Sequence, residues 1–235
     1  MSRRPAAPAS PARRRSLLGL PAFGLAACSV LDNPAPRFDF YVIEDLRAGT
    51  GPGPADATAA LPRIDRTLLI TTGPTPALYD SDRIVYTRDG AGRAYYQFSN
   101  WAERPLRRIV VLAEQRLADA GRFRTVAQTL SGVRGDLLLS LRLDELLHDD
   151  TVSPGTMRVG IAADLLDWRT RAMLGRRTFV RQAPVSTRDA PGAARAASVA
   201  VSDALDALSA WVAAVAAASV PDPASTRAPG SRAPD

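Results

Sequence analysis

The chain has 235 residues, an apolar share of 46% and a net charge of +6. All 30 basic residues are Arg, and Cys and His occur once each, at Cys28 and His148. This composition suits one globular domain with unstructured ends. It excludes a Walker-type phosphate loop, Schiff-base chemistry at Lys and a His/Cys zinc site within one chain. No metal and no cofactor is expected.

The excess charge sits at the front. Arg3, Arg4, Arg13, Arg14 and Arg15 precede residue 28, and no acid does; beyond them 25 Arg face 24 acids. The remainder is near neutral with its charges interleaved. Nucleic-acid binding, which needs basic residues clustered on one face, is therefore not expected. Ser16–Ala27 is an uncharged, mostly apolar run, too short to span a membrane and suited to a signal-peptide core. It closes on Leu25-Ala26-Ala27-Cys28, which resembles the bacterial lipobox. That resemblance makes 1–27 a lipoprotein signal peptide, Cys28 the lipid (palmitate-bearing) attachment site and 28–37 a tether. Ser29 after the Cys favours outer-membrane sorting by the same resemblance. Arg14-Arg15 leaves Sec and twin-arginine export both open.

Beyond the tether, Phe38–Ile43 reads as a first strand. Residues 47–62, poor in large apolar side chains, read as a flexible insertion. A second strand at Ile64–Thr72 ends at Gly73-Pro74-Thr75-Pro76. Arg83–Thr87 and Arg93–Phe98 flank an Asp-Gly turn and form a hairpin. Leu106, Ile109, Val110, Ala113 and Leu117 recur at helical spacing in Pro105–Ala120, with Gly121 as the stop and Ser99 or Asn100 as the cap. Leu137, Leu139, Leu141 and Leu143 alternate with polar residues in a strand over Asp136–Leu147, and Met157–Leu165 alternates likewise. A further strand lies around Arg176–Val180. An Ala-rich helix then runs from Ala190, with Val201, Leu205, Leu208, Val212 and Val215 on one stripe. The Pro-rich stretch 219–235 is expected to be disordered. The order βββ-β-α-β-β-β-β-α predicts an α+β fold over 38–218: one two-layer domain, a mixed sheet with both amphipathic helices on one face.

Two stretches carry a family resemblance. Phe40-Tyr41-Val42-Ile43 follows soon after the lipobox. Ala77-Leu78-Tyr79-Asp80-Ser81-Asp82-Arg83-Ile84-Val85-Tyr86 leads through the hairpin to Phe98-Ser99-Asn100-Trp101-Ala102-Glu103-Arg104-Pro105-Leu106. Together they resemble the ABC-type transport auxiliary lipoproteins, which include the paraquat-inducible outer-membrane lipoprotein of MCE-type lipid transport systems. The resemblance implies a non-catalytic adaptor on the periplasmic face of the outer membrane, partnered by an MCE-domain protein and an ABC permease and ATPase. Within the hairpin and its exit, Tyr79, Tyr86, Tyr95, Tyr96 and Trp101 are the candidate partner-binding residues, because exposed Tyr and Arg are enriched in interface hot spots. Trp101 also suits a packing role, stapling the strand to the helix. An envelope-assembly or secretion-machine lipoprotein is the alternative. A periplasmic hydrolase would have to use His148 with Asp149 and Asp150, a trio expected in a solvated turn, while Asp144 and Glu145 are expected on opposite faces of their strand.

Overall fold

A computed structural model describes residues 37–48 and 63–219. The expected signal peptide, Cys28, most of the tether, residues 49–62 of the insertion and the tail beyond Ser219 lie outside the described residues. The elements in chain order are β1 (Asp39–Tyr41), β2 (Ile64–Thr72), β3 (Arg83–Thr87), β4 (Ala94–Trp101), α1 (Pro105–Asp119), β5 (Phe123–Gln128), β6 (Leu137–Asp149), β7 (Thr156–Asp167), β8 (Met173–Pro184) and α2 (Ala190–Ala218). They build the expected α+β architecture, a mixed eight-stranded sheet with both helices on one face.

The sheet forks at β6. This strand of 13 residues, more than twice the usual length, carries antiparallel β7 along the whole of one edge. Its other edge is divided. Parallel β2 takes Leu137–Leu141, and parallel β3 takes Leu147–Asp149. Between them the Gly73-Pro74-Thr75-Pro76 segment ends β2, since its two prolines have no N–H to give a ladder. Gly73 N–H still donates to the Leu141 carbonyl (2.6 Å), and the Thr75 hydroxyl accepts from Leu143 N–H (3.2 Å). The fork thus leaves no orphaned strand groups at these positions. Beyond β2 lies β5, beyond β3 lies β4 and then β1, and β8 closes the far side of β7.

The alternation in β6 produces the core. Leu137, Leu139, Leu141 and Leu143 are fully buried beneath the helices with Leu68, Ile70, Val159 and Ile161. Each such side chain contributes about 1.5–3 kcal/mol by leaving water. A bulge between Leu143 and Glu145 then shifts the register and changes the phase: Leu146 and His148 face the helices instead of the next odd residues. It also corrects the expectation for Asp144 and Glu145, whose Cβ atoms lie side by side near Gly160 rather than on opposite faces. Each is taken by a different Arg, Asp144 by Arg142 and Glu145 by Arg158.

α1 starts at Pro105 and stops before Gly121, which adopts φ +61° as a helix-terminating position requires. The expected cap is corrected. β4 runs on to Trp101, so Ser99 and Asn100 are strand residues, and the N-cap position is Arg104, with no side-chain cap. α2 has Asp189 as N-cap, its carboxylate accepting from Gly192 N–H at 2.7 Å. It is long and apolar enough to cross a membrane. Here, however, its Ala-rich stripe is packed on β7, β8 and α1, and Val201, Leu205, Leu208 and Val212 are buried.

β1 is shorter than expected, because after Tyr41 the chain leaves the sheet and crosses the two helices. Ile43 is buried there, and its carbonyl accepts from Arg108 Nε (2.8 Å). The Ser198 and Ser202 hydroxyls of α2 accept from the N–H groups of Glu44 (3.1 Å) and Leu46 (2.9 Å). Asp45, 2% exposed, is paired with Arg116 of α1, and Arg47 with Asp203 and Asp206 of α2. The first residues of the expected flexible insertion are therefore docked.

Candidate functional site

The hairpin β3–β4 sorts the five candidate aromatics onto two faces. Register places Val85 beside Leu147 and Tyr86 beside His148, so Tyr86 shares the imidazole's face of the sheet, with the Arg88 guanidinium 4.9 Å over its ring. Tyr96 joins them from β4. Its ring lies parallel to His148 (centroids 6.2 Å apart, 2° between planes) and 5.0 Å from Tyr86, and its hydroxyl is hydrogen-bonded to His148 Nδ1 at 2.8 Å. Burial, reinforced by the Asp150 carboxylate, pushes the Tyr96 phenol up to about 12. Tyr79 is half-buried against the core, and burial with Glu145 nearby raises its pKa as well. Trp101 is only 2% exposed, in the packing position between strand and helix.

His148 is fully buried in β6, not in a solvated turn. Burial lowers its pKa, with Asp150 and the Pro154 carbonyl opposing. The carboxylates beside it are committed elsewhere. Asp149 accepts from Thr151 and pairs with Arg158; Asp150, also buried, is gripped by both nitrogens of Arg188 (2.7 and 3.0 Å), which lowers its pKa, and lies 3.6 Å from Arg88. The trio His148, Asp149 and Asp150 is not assembled as a base with its orienting acid. Among the described residues no cluster of His, Cys, Asp or Glu is arranged to hold a metal ion.

Of the five candidates, Tyr95 faces outward. It is 42% exposed, with the Arg83 guanidinium 5.2 Å above its ring. Its neighbours complete a surface that the candidate set lacks. Parallel pairing of β1 with β4 sets Asp39 beside Ser99 and Tyr41 beside Trp101. Tyr41 therefore turns to the core, while Phe38, Phe40 and Phe98 turn away from the helices. These three are 54%, 62% and 40% exposed, and Phe38 meets Phe98 edge-on at 5.8 Å. Val42 continues the row. The signal was present in Phe38-Asp39-Phe40-Tyr41-Val42-Ile43, which is apolar at both phases of a strand and so cannot bury both.

The other sheet edges differ. β8 carries Arg176, Arg177 and Arg181 and β5 carries Arg124, the charged guards that keep free edges from pairing. β1 has only Asp39. On this edge the exposed aromatic side chains lie on the face of the sheet turned from the helices.

Comparison with known proteins agrees with this architecture. No curated protein matches the sequence. A solved structure from Xanthomonas campestris, of family DUF330, superposes with a TM-score of 0.63 at 21% identity, covering 72% of this chain and 92% of its own. A second, uncharacterized protein superposes with a TM-score of 0.53 at 10% identity, covering 65% and 95%. At these identities the likeness is one of fold. The family model for the ABC-type transport auxiliary lipoprotein component matches residues 51–213. With well over half of its length so matched, the chain belongs to the ABC-type transport auxiliary lipoprotein component family.

Proposed function

We propose that the chain is the auxiliary component of an MCE-type lipid transport system, anchored through Cys28 to the periplasmic face of the outer membrane. It works there as a non-catalytic adaptor that docks an MCE-domain protein linked to an ABC permease and its ATPase. The observation that supports this reading is the unguarded edge β1–β4, where Phe38, Phe40, Tyr95 and Phe98 present aromatic surface away from the core. Aromatic side chains with few rotatable bonds are the usual anchors of such contacts. Two experiments test the reading. Cys28→Ser is expected to leave an unprocessed precursor, and mature protein beginning elsewhere without lipid refutes the anchor. In a pull-down with an MCE-domain protein of the same organism, Phe40→Ala combined with Phe98→Ala is expected to lose capture while circular dichroism stays unchanged. Full retention by the folded variant places the interface elsewhere, and no capture by the wild type refutes the adaptor role.

A further inference from the structure

A second surface lies at the opposite end of β6 from β3 and the hairpin. A cleft of about 850 Å³ opens where β6 begins, β7 turns into β8 and α2 ends at Ser219. That volume is in the range of small-ligand sites. Its lining includes Arg66, Arg134, Arg169 and Arg171, two carboxylates (Asp136 and Asp167) and Trp168.

Each carboxylate is already paired with an Arg, Asp167 with Arg66 and Asp136 with Arg124, so neither is left over to balance the other guanidiniums. Asp167 accepts from Arg66 (2.8 Å) and from Thr170 N–H (2.8 Å) and hydroxyl (2.9 Å). Asp136 accepts from Thr67 N–H (2.7 Å) and Arg124 (2.8 Å). Arg66 is spent on Asp167, the Asp136 carbonyl and Ser219. Three guanidiniums remain. Among the described residues Arg134 and Arg169 make no side-chain hydrogen bond or ion pair. Arg171 lies over the Trp168 ring at 4.0 Å, which occupies its face and leaves its N–H edge free. Arg171 is also the one non-glycine residue with positive φ among those described, at +60°. That conformation costs a residue with a Cβ about 1 kcal/mol or more, and it occurs at the residue whose side chain caps the indole.

We propose that this cleft binds the phosphate group of a phosphoester ligand, with Arg134, Arg169 and Arg171 as donors and Trp168 as the apolar wall. Three planar donor forks exceed what the two oxygens of one carboxylate accept and match the oxygens of a phosphate. Trp168 is backed by a buried apolar cluster of Leu69, Ala127, Leu138 and Leu166 on the face of the sheet turned away from the helices, which fixes its ring at the edge of the cleft. The site rests on no feature of the aromatic edge and stands or falls independently of the partner proposed there.

The test is calorimetric titration of the full chain in maltoside detergent and Tris-chloride, free of phosphate. Two phosphomonoesters, each with three terminal oxygens, are compared, glycerol 3-phosphate and diheptanoyl phosphatidic acid, with diheptanoylglycerol as the uncharged control. Saturable binding of one or both phosphoesters is expected, with no binding of the control. Binding of both ligands identifies the phosphate as sufficient, so that a soluble phosphoester can be the source. Binding of the lipid alone identifies a lipid headgroup. Arg134→Gln combined with Arg169→Gln, both exposed positions, is expected to weaken binding about tenfold or more with an unchanged melting temperature. Trp168→Phe is expected to abolish any ligand-induced change in indole fluorescence. Failure of both phosphoesters to exceed the control, or full affinity in the double Arg variant, overturns the proposal.

Discussion

At Gly155 a single added methyl group meets both a backbone and a steric penalty. Its φ of +95° lies in a region that side chains disfavour, and a Cβ there would sit 2.6 Å from His148 Nε2 and 2.9 Å from the Asp149 carbonyl. Neither atom is free to yield. The imidazole is held by its bond to Tyr96, and the carbonyl belongs to the end of β6. For Gly155→Ala the backbone cost is about 1–2 kcal/mol, and forcing apart a packed interior adds about 1–3 kcal/mol. A total of about 2–5 kcal/mol is expected. Gly121→Ala separates the two contributions, because Gly121 also has positive φ but a Cβ there meets nothing within 4 Å. That variant should lose only about 1–2 kcal/mol. Urea unfolding followed by far-ultraviolet circular dichroism compares them, and the midpoint of Gly155→Ala should fall about twice as far at equal slope. Equal losses in the two variants refute the steric part of the argument and mean that the His148 ring gives way.

Asp45→Ala strips Arg116, itself mostly buried, of its inner partner and leaves it only the exposed Asp206. The expected loss is about 2–4 kcal/mol by urea unfolding, part of it recovered when Arg116→Met removes the stranded charge. Burial holds His148 below its ordinary value of 6.5, so the folded state resists protonation more than the unfolded chain does. Its contribution is fully present above pH 6.5 and is lost as pH falls through that value toward the lowered folded pKa. The urea midpoint should therefore drop between pH 7 and pH 5, and a His148→Gln variant that folds should show a shallower drop. Trp101→Ala should cost about 3–5 kcal/mol by emptying a core position. Phe98→Ala, at an exposed one, should stay within about 1 kcal/mol in the same thermal or urea assay.

Local pattern was enough for much of this fold, and the reasons are particular. Ile64–Thr72 and Arg83–Thr87 were readable because each is β-rich and ends at Pro/Gly or Asp-Gly punctuation. Pro105 and Gly121 bracket α1 because one lacks the N–H that a first turn leaves unused and the other tolerates positive φ. The failures share a cause. A period-two reading has no term for an inserted residue, so the bulge at Asp144 and the phase change that buries His148 were invisible. The polar run His148-Asp149-Asp150 looks solvated on its own. It is covered by Tyr96, 52 positions earlier, and by Arg188, 38 positions after Asp150. The same closure turned Tyr86 and Tyr96 inward and left Tyr95 and Phe98 outside. Ser99 and Asn100 look like helix caps in sequence, but their pairing with β1 keeps them in the strand.

The contact surface proposed for the aromatic edge draws support from how the fold holds that edge. β1 has only three residues in the sheet, too few to hold three large aromatic side chains in fixed positions by strand pairing alone. Its continuation supplies the missing restraint. Ile43 enters the core, Asp45 is clasped by Arg116, and two serines one helical turn apart on α2 receive alternate N–H groups of the crossing segment. The backbone that follows Phe38 and Phe40 is therefore tied to both helices, which lowers the ordering cost of the partner contact proposed for this edge. An edge held in place before binding can form a tight contact from a small area, which is what a narrow patch of a few aromatic rings requires.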